Sequence, residues 1–306
     1  MLHKISTTFF GTHDFAVTIL QGLIDSPLFE IELVITQPDR PIGRKQELQK
    51  SPVKILSEKH NLKIDQPTSL KNYQSPITNH KLSIVAQYGL LIPPNIVSAP
   101  KHGTINIHTS LLPKYRGASP IQSALINGET KTGVSIMLMN VGLDSGPILL
   151  QKELNIAPDD TYLDLDKKLA NMGLHALLET IPDYIVGKLK PTPQDESQAT
   201  LCSKLSRKDG RVDWQKSTLE IYNQYRGLTP WPGVWTVWND RRLKLLKISP
   251  AEKNILTGRV EINYDRLHIG TGDRSIEISK LQLEGKKVMN VKEFVNGFKN
   301  IDREEL

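Results

Sequence analysis

Asn106 and His108 stand two apart in the run Thr104-Ile105-Asn106-Ile107-His108. Alternation along a strand puts both side chains on one face. The run stops at His108, because Thr109-Ser110-Leu111-Leu112-Pro113 reads as a turn. In an open α/β sheet, ligands bind outside the carboxyl ends of the strands. An amide donor and an imidazole would therefore point together into a crevice. The same spacing also fits an asparagine that caps a turn and a histidine satisfied in a core. A third residue, Asp144, lies in Val141-Gly142-Leu143-Asp144-Ser145-Gly146-Pro147. An aspartate between glycines is an ordinary turn former. It can also hold a carboxylate at the tip of a tight loop, within reach of His108. Asn, His and Asp together supply oxyanion donors and proton handling, the needs of acyl transfer.

Other chemistries lack their signatures. The first strand leads to Gly11-Thr12-His13-Asp14-Phe15-Ala16, with no G-x-G-x-x-G for a dinucleotide, and no P-loop follows anywhere. The eight histidines include no H-x-x-x-H pair, and the only cysteine is Cys202, which excludes an internal disulfide and a thiolate cluster. G-x-S-x-G, the serine-hydrolase elbow, is absent.

The elements that must position these residues follow from periodicity. Lys4 to Phe10 reads as a strand, and Phe15, Ala16, Ile19, Leu20 and Leu23 as the buried face of a helix. Ile31 to Thr36, Leu82 to Ala86 and Thr104 to His108 are further strands. Residues 38–52 read as a loop kept irregular by three prolines and a glycine. A helix opens at Pro52 with Ser51 as its cap. Thr161 to Ile185 is mostly helical. Strands alternating with helices predict a doubly wound, mostly parallel α/β sheet. Residues 190–204, Pro-rich and aperiodic, read as a linker between a domain over 1–189 and another over 205–306. Beyond a short helix near Leu219 to Tyr225, short strand-like runs at 233–238, 243–248, 257–262, 267–270 and 275–281 predict a small OB-like β-barrel.

Charge divides along the same line. Residues 1–200 hold 19 basic and 19 acidic side chains, whereas residues 201–306 hold 20 and 14, so the whole net charge of +6 lies in the last third. That excess suits either a plain solvated surface or a polyanion-binding domain. No apolar run approaches the ~20 residues of a membrane span, and the N-terminus shows no signal-peptide pattern. A cytoplasmic protein without a membrane role is the expectation.

Asn106-Ile107-His108-Thr109-Ser110-Leu111-Leu112-Pro113-Lys114-Tyr115-Arg116-Gly117 resembles the signature of the folate-dependent formyltransferases. Val-Gly-Leu-Asp144-Ser-Gly is similar to the family's second signature. Ala86-Gln87-Tyr88-Gly89-Leu90-Leu91-Ile92-Pro93 is similar to its folate-pocket segment, and the likeness runs on to Thr229-Pro230-Trp231-Pro232-Gly233. Thr109 departs from the family's usual small residue, and His13 from a common proline. The resemblance implies a formyltransferase-type Rossmann-like domain with Asn106, His108 and Asp144 catalytic. It implies 10-formyltetrahydrofolate as formyl donor, beside Tyr88, Leu90, Ser110, Leu111, Leu112 and Pro113, and no metal. Gln37 to Arg44, followed by Ser51-Pro52-Val53-Lys54, is similar to the basic loop of the tRNA-acting branch. With the basic second domain, it implies methionyl initiator tRNA as acceptor, contacted by Arg40, Arg44 and Lys45, in a monomer serving translation initiation. The alternatives are a sugar-nucleotide N-formyltransferase of the same fold and a non-enzymatic RNA-binding module.

Overall fold

A computed structural model describes residues 4–42, 46–75, 79–263 and 265–306. The chain forms two compact units. The first comprises Met1–Pro120, Lys131–Asn155 and Asp166–Cys202, and the second Ile121–Thr130, Ile156–Leu165 and Ser203–Leu306.

The first unit is built on strands β1 (Ile5–Gly11), β2 (Phe29–Ile35), β3 (Ile64–Asp65), β4 (Leu82–Ala86), β5 (Thr104–His108), β6 (Lys131–Leu138) and β7 (Ile148–Asn155), in the sheet order β7-β6-β5-β4-β1-β2-β3. The pairs from β3 to β5 are parallel, while β6 runs antiparallel to β5 and to β7. Chain order reverses direction beside β1, which opens a crevice beyond the carboxyl ends of β1 and β4. Helix α1 (Asp14–Asp25) buries the five apolar residues its periodicity marks. At α2 (Pro52–Lys59), the Ser51 side chain accepts from the Lys54 amide at 3.1 Å.

The doubly wound sheet matches the expected fold class, with two departures. β6 and β7 extend it antiparallel. In the second, residues 38–52 are not irregular: Arg40–Ile42 and Glu47–Gln49 pair antiparallel as a small hairpin. Pro41 is tolerated there because a two-stranded ribbon is all edge, so its missing N–H interrupts no inner ladder.

The second unit carries β8 (Val234–Trp238), β9 (Arg241–Ala251), β10 (Val260–Asn263), β11 (Arg266–Gly270) and β12 (Ser275–Leu283), in the antiparallel order β8-β9-β12-β11-β10, with β13 (Met289–Asn290) added to β12. This is the small β unit expected. Trp214, Trp238, Leu243, Ile276 and Phe294 lie in its core. The helix Thr218–Leu228 opens with a reciprocal Ser217–Glu220 capping box.

The boundaries differ from those read off the chain. Residues 190–202, expected as linker, belong to the first unit, because Thr192 pairs with Ile148 and Leu201–Cys202 pairs with Arg116–Gly117. Residues 121–130 and 156–165 belong to the second. Ile126 packs on its core, Arg226 donates to the carbonyls of Ala157 and Asp160, and the Tyr222 hydroxyl donates to Asp159 at 2.9 Å.

Candidate active site

β5 runs in the middle of the sheet between β4 and β6, so both its edges are paired and its register is fixed. His108 is its last residue and only 5% exposed. Asn106, one alternation back, is half-buried. Nε2 of His108 lies 2.9 Å from the carbonyl of Tyr115. A carbonyl only accepts, so Nε2 carries a hydrogen and Nδ1 is the nitrogen left for exchange. Nδ1 faces the Asp144 carboxylate, with Oδ2 at 3.7 Å. The same oxygen accepts the Gly117 amide at 2.8 Å.

Asp144 reaches this position through backbone geometry that few residues adopt. Its φ is +46°, in the left-handed region where short polar side chains are the tolerated non-glycines. Gly146 follows because a Cβ there would stand 1.7 Å from the Leu138 carbonyl. The Asn140 side chain closes the turn by accepting from the Gly142 amide and the Ser145 hydroxyl. The sequence pattern of two glycines about one acid is thus a device for aiming a carboxylate at the end of β5.

The turn after His108 is held as firmly. Ser135 on β6 donates to the Ser110 carbonyl and accepts from the Leu112 amide, and Gln151 on β7 donates to the Leu112 carbonyl and to Ser135. Ser110 and Leu112 are buried, Leu111 and Pro113 half-buried. The Leu112–Pro113 bond is cis.

Tyr88 occupies a different role from the one its type suggests. Its ring is 2% exposed, edge-on to Phe10 at 5.5 Å within an apolar cluster, and burial pushes its phenol up to about 12. What it presents is its carbonyl, which accepts from Thr12 Oγ1 and from Gln37 Nε2. Gly89 follows at φ +81°, and a Cβ there would strike Gln37. Leu90 is half-buried and Leu91 is 89% exposed.

The bases of the hairpin and of the residues that follow it have partners of their own. Arg40 donates to the Gln37 side chain, Lys54 pairs with Asp39 at 2.7 Å, and Lys50 pairs with Glu58. Hydrogen bonds from Gln66 and Lys54 hold the Asp39 carboxyl below its usual range. Arg44 and Lys45 lie outside the described residues. Among the described residues, no group of three His, Cys, Asp or Glu side chains could hold a metal, and no helix is long and apolar enough to cross a membrane.

A second layer, invisible to spacing arguments, backs the three residues. Arg116 is buried, grips Glu196 with two 2.8 Å bonds, and also donates to Gln194. Gln194 in turn donates to the carbonyls of Asp144 and Gly146. Thr200 accepts from the Tyr115 amide. The only signal for Gln194, Glu196 and Thr200 is polarity inside an apparent linker.

A buried imidazole at the carboxyl end of a central strand, aimed at a carboxylate on a glycine-bounded loop, fits an α/β group-transfer enzyme. The matches say which. Residues 3–181 match the formyl transferase family and residues 204–299 its C-terminal domain, so the chain belongs to the formyl transferases. It is 40% identical over 301 residues to the methionyl-tRNA formyltransferase of Caldicellulosiruptor saccharolyticus, covering 95% of this chain and 96% of that one. It is 42% identical over 295 residues to the protein of that name from Thermodesulfovibrio yellowstonii, covering 95% of each. Among solved structures, the sugar 3N-formyltransferase WlaRD, determined with dTDP and 5-N-formyl-THF, has the same fold. Its TM-score is 0.69 at 24% identity, covering 93% of this chain and all of that one.

Proposed function

We propose that the chain moves a formyl group from 10-formyltetrahydrofolate to the free amine of methionyl initiator tRNA, as a cytoplasmic monomer serving translation initiation. The observation that carries this reading is an identity of about two-fifths, through both units, to relatives of that activity. The WlaRD likeness speaks only for the fold and favours no sugar substrate.

Asn106, His108 and Asp144 are the catalytic residues in this reading. The amine nitrogen attacks the formyl carbon and the formyl oxygen becomes an oxyanion. The Asn106 amide and a protonated Nδ1 of His108 donate to it. The bond to the folate nitrogen then breaks, and the proton lost by the amine ends on that nitrogen. Asp144 receives the proton in transit, directly or through water, while its carboxylate faces the ring. Because Nε2 is committed to the Tyr115 carbonyl, the ring cannot flip without breaking a buried hydrogen bond. The donor lies against the Tyr88–Leu90 backbone and the Ser110–Pro113 turn. The basic second unit neutralises tRNA phosphates, and Arg44 and Lys45 act near the acceptor end, while Arg40 braces Gln37 beside the folate segment.

Initial rates with 10-formyltetrahydrofolate and either charged initiator tRNA or amino-sugar nucleotides test the reading. A kcat/KM far higher for the charged tRNA is expected. A higher value for an amino-sugar nucleotide would overturn it.

A further inference from the structure

We infer that Gln194 is a positioning residue for the formyl-transfer site, fastening the Asp144 loop to the segment that holds His108. The inference rests on the catalytic reading of His108 and Asp144 given above.

Three consecutive residues, Tyr115, Arg116 and Gly117, touch both members of the pair. The Tyr115 carbonyl accepts from His108, and the Gly117 amide donates to the Asp144 carboxylate. Between them, the Arg116 guanidinium turns toward Gln194. The Gln194 carboxamide spends its whole hydrogen-bonding capacity on this junction. Its Nε2 donates to the Asp144 carbonyl at 2.8 Å and the Gly146 carbonyl at 2.7 Å. Its Oε1 accepts from Nε and Nη2 of Arg116 at 3.0 and 2.8 Å.

The orientation of the amide is settled by its partners. Two carbonyls can only accept and a guanidinium can only donate, so the nitrogen must face the Asp144 loop. No other side chain meets that requirement. Glutamate would set a carboxylate against two carbonyl oxygens. Asparagine is one methylene short. Lysine and methionine lack the acceptor or the donors.

The need for such a clamp is local. Asp144 is in the left-handed region, with Gly142 and Gly146 two residues to either side, so few conformations of the free loop resemble the one seen. At 3.7 Å, the Asp144–His108 Nδ1 approach is longer than a hydrogen bond and does not hold the loop by itself. Glu196 braces the other side: the Arg116 guanidinium depresses its carboxyl, and the pair raises the Arg116 pKa. Arg116 thus stays fixed while Gln194 transmits that rigidity to the carboxylate.

The test is a double-mutant cycle on turnover. Gln194→Met and Gln194→Glu are each made in the wild-type and in the Asp144→Ala background, with His108→Ala as control. A displacement of about 1 Å at a reacting group costs on the order of 10²-fold in rate, so each Gln194 variant is expected to lower kcat by about 10- to 100-fold. KM for 10-formyltetrahydrofolate should stay within about threefold. In the Asp144→Ala background the same substitutions should cost less than about threefold, because the group they aim is gone. An equal loss in both backgrounds, or wild-type kcat in both single variants with an unchanged melt, would overturn the positioning role. If methionine at 194 prevents folding, the glutamate variant carries the cycle alone. Full turnover in both His108→Ala and Asp144→Ala would instead overturn the site itself, and the positioning role with it.

Discussion

Among the described residues, two buried histidine–carboxylate pairs have nearly equal distances, and only one has the surroundings of an active site. His108 faces Asp144 at 3.7 Å and is 5% exposed; His268 faces Glu277 at 3.4 Å and is 7% exposed. By distance, the second pair is the tighter one. His268 lies inside a ladder, on β11 between Glu261 of β10 and Glu277 of β12, so its carboxylate neighbours are cross-strand register partners. Such pairs are what antiparallel sheets make everywhere. His108 ends a strand, and its partner arrives from a loop 36 residues on. The backbone groups of Tyr115 and Gly117, and behind them Gln194, converge to fix both ends. Convergence of separate segments at a sheet's carboxyl edge distinguishes a site; the pair alone does not.

The largest expected effect breaks the two histidines apart functionally. Asn106→Ala, His108→Ala and Asp144→Ala should each lower kcat by about 10²–10³-fold, the usual loss for one oxyanion donor or its support. Folding should remain cooperative in all three variants, with any loss of melting temperature confined to the buried, hydrogen-bonded His108. His268→Gln should leave kcat within about twofold. Steady-state kinetics beside thermal melts decide it, and a large activity loss in the His268 variant would erase the contrast drawn above.

The next effect separates acceptor binding from chemistry. Arg207 and Lys208 are exposed, and the Arg207 carbonyl accepts from the Trp235 indole, over which Arg242 stacks at 4.4 Å. Basic groups around an aromatic ring suit an RNA backbone. Arg207→Ala with Lys208→Ala should raise KM for charged tRNA by about tenfold, and flatten its log–log salt slope by about 2, near one unit per lost phosphate contact. KM for the folate should not move. An unchanged salt slope would place the RNA elsewhere.

The hairpin gives a smaller and more divided result. The sequence groups Arg40 with Arg44 as one RNA-facing set. In the fold, Arg40 bonds Gln37, which donates to the Tyr88 carbonyl beside Gly89. Arg40→Ala should therefore raise the folate KM, by about fivefold for one lost hydrogen bond near 1 kcal/mol. Arg44→Ala should raise only the tRNA KM. Identical profiles for the two variants would return Arg40 to the RNA-facing set.

What the sequence made legible is what is local. The helix Asp14–Asp25, the Ser51 cap and the strand ending at His108 follow from periodicities of a few residues. The aspartate between glycines was legible too, because its turn chemistry is written in adjacent positions. The hairpin was missed, since proline argues against a strand wherever the edge is not known. β6 and β7 extend the sheet antiparallel through pairing that no short window encodes. Gln194 was read as linker: its partners Arg116, Asp144 and Gly146 lie 78, 50 and 48 residues away, so nothing near it betrays a burden. The segments 121–130 and 156–165 join the second unit for the same reason, through distant partners such as Asn223 beside Gly128 and Tyr222 beside Asp159.

The smallest effect tests the second histidine on its own terms, as a structural group. Burial holds the His268 pKa below its ordinary 6.5, with Lys253 and Arg266 acting in the same direction and Glu277 opposing them. Its Nδ1 has no hydrogen-bond partner among the described residues, so a second proton there would gain no partner. The unfolded chain binds that proton more readily than the folded one, and stability falls as pH drops below about 6.5. The full stability is present above that value and is lost toward the lower folded pKa. His13 and His102 are shifted the same way by burial, so the informative quantity is a difference between two proteins. Wild type and His268→Gln are melted at pH 7.5 and pH 5.5. Glutamine keeps a donor for Glu277 and cannot titrate. Wild type should lose about a degree more than the variant on acidification, the scale of a sub-kcal/mol change for a chain of this size. Equal losses would mean that the fold leaves the proton affinity of His268 where the unfolded chain has it, and a smaller loss in wild type would mean that Glu277 outweighs burial and holds the ring protonated.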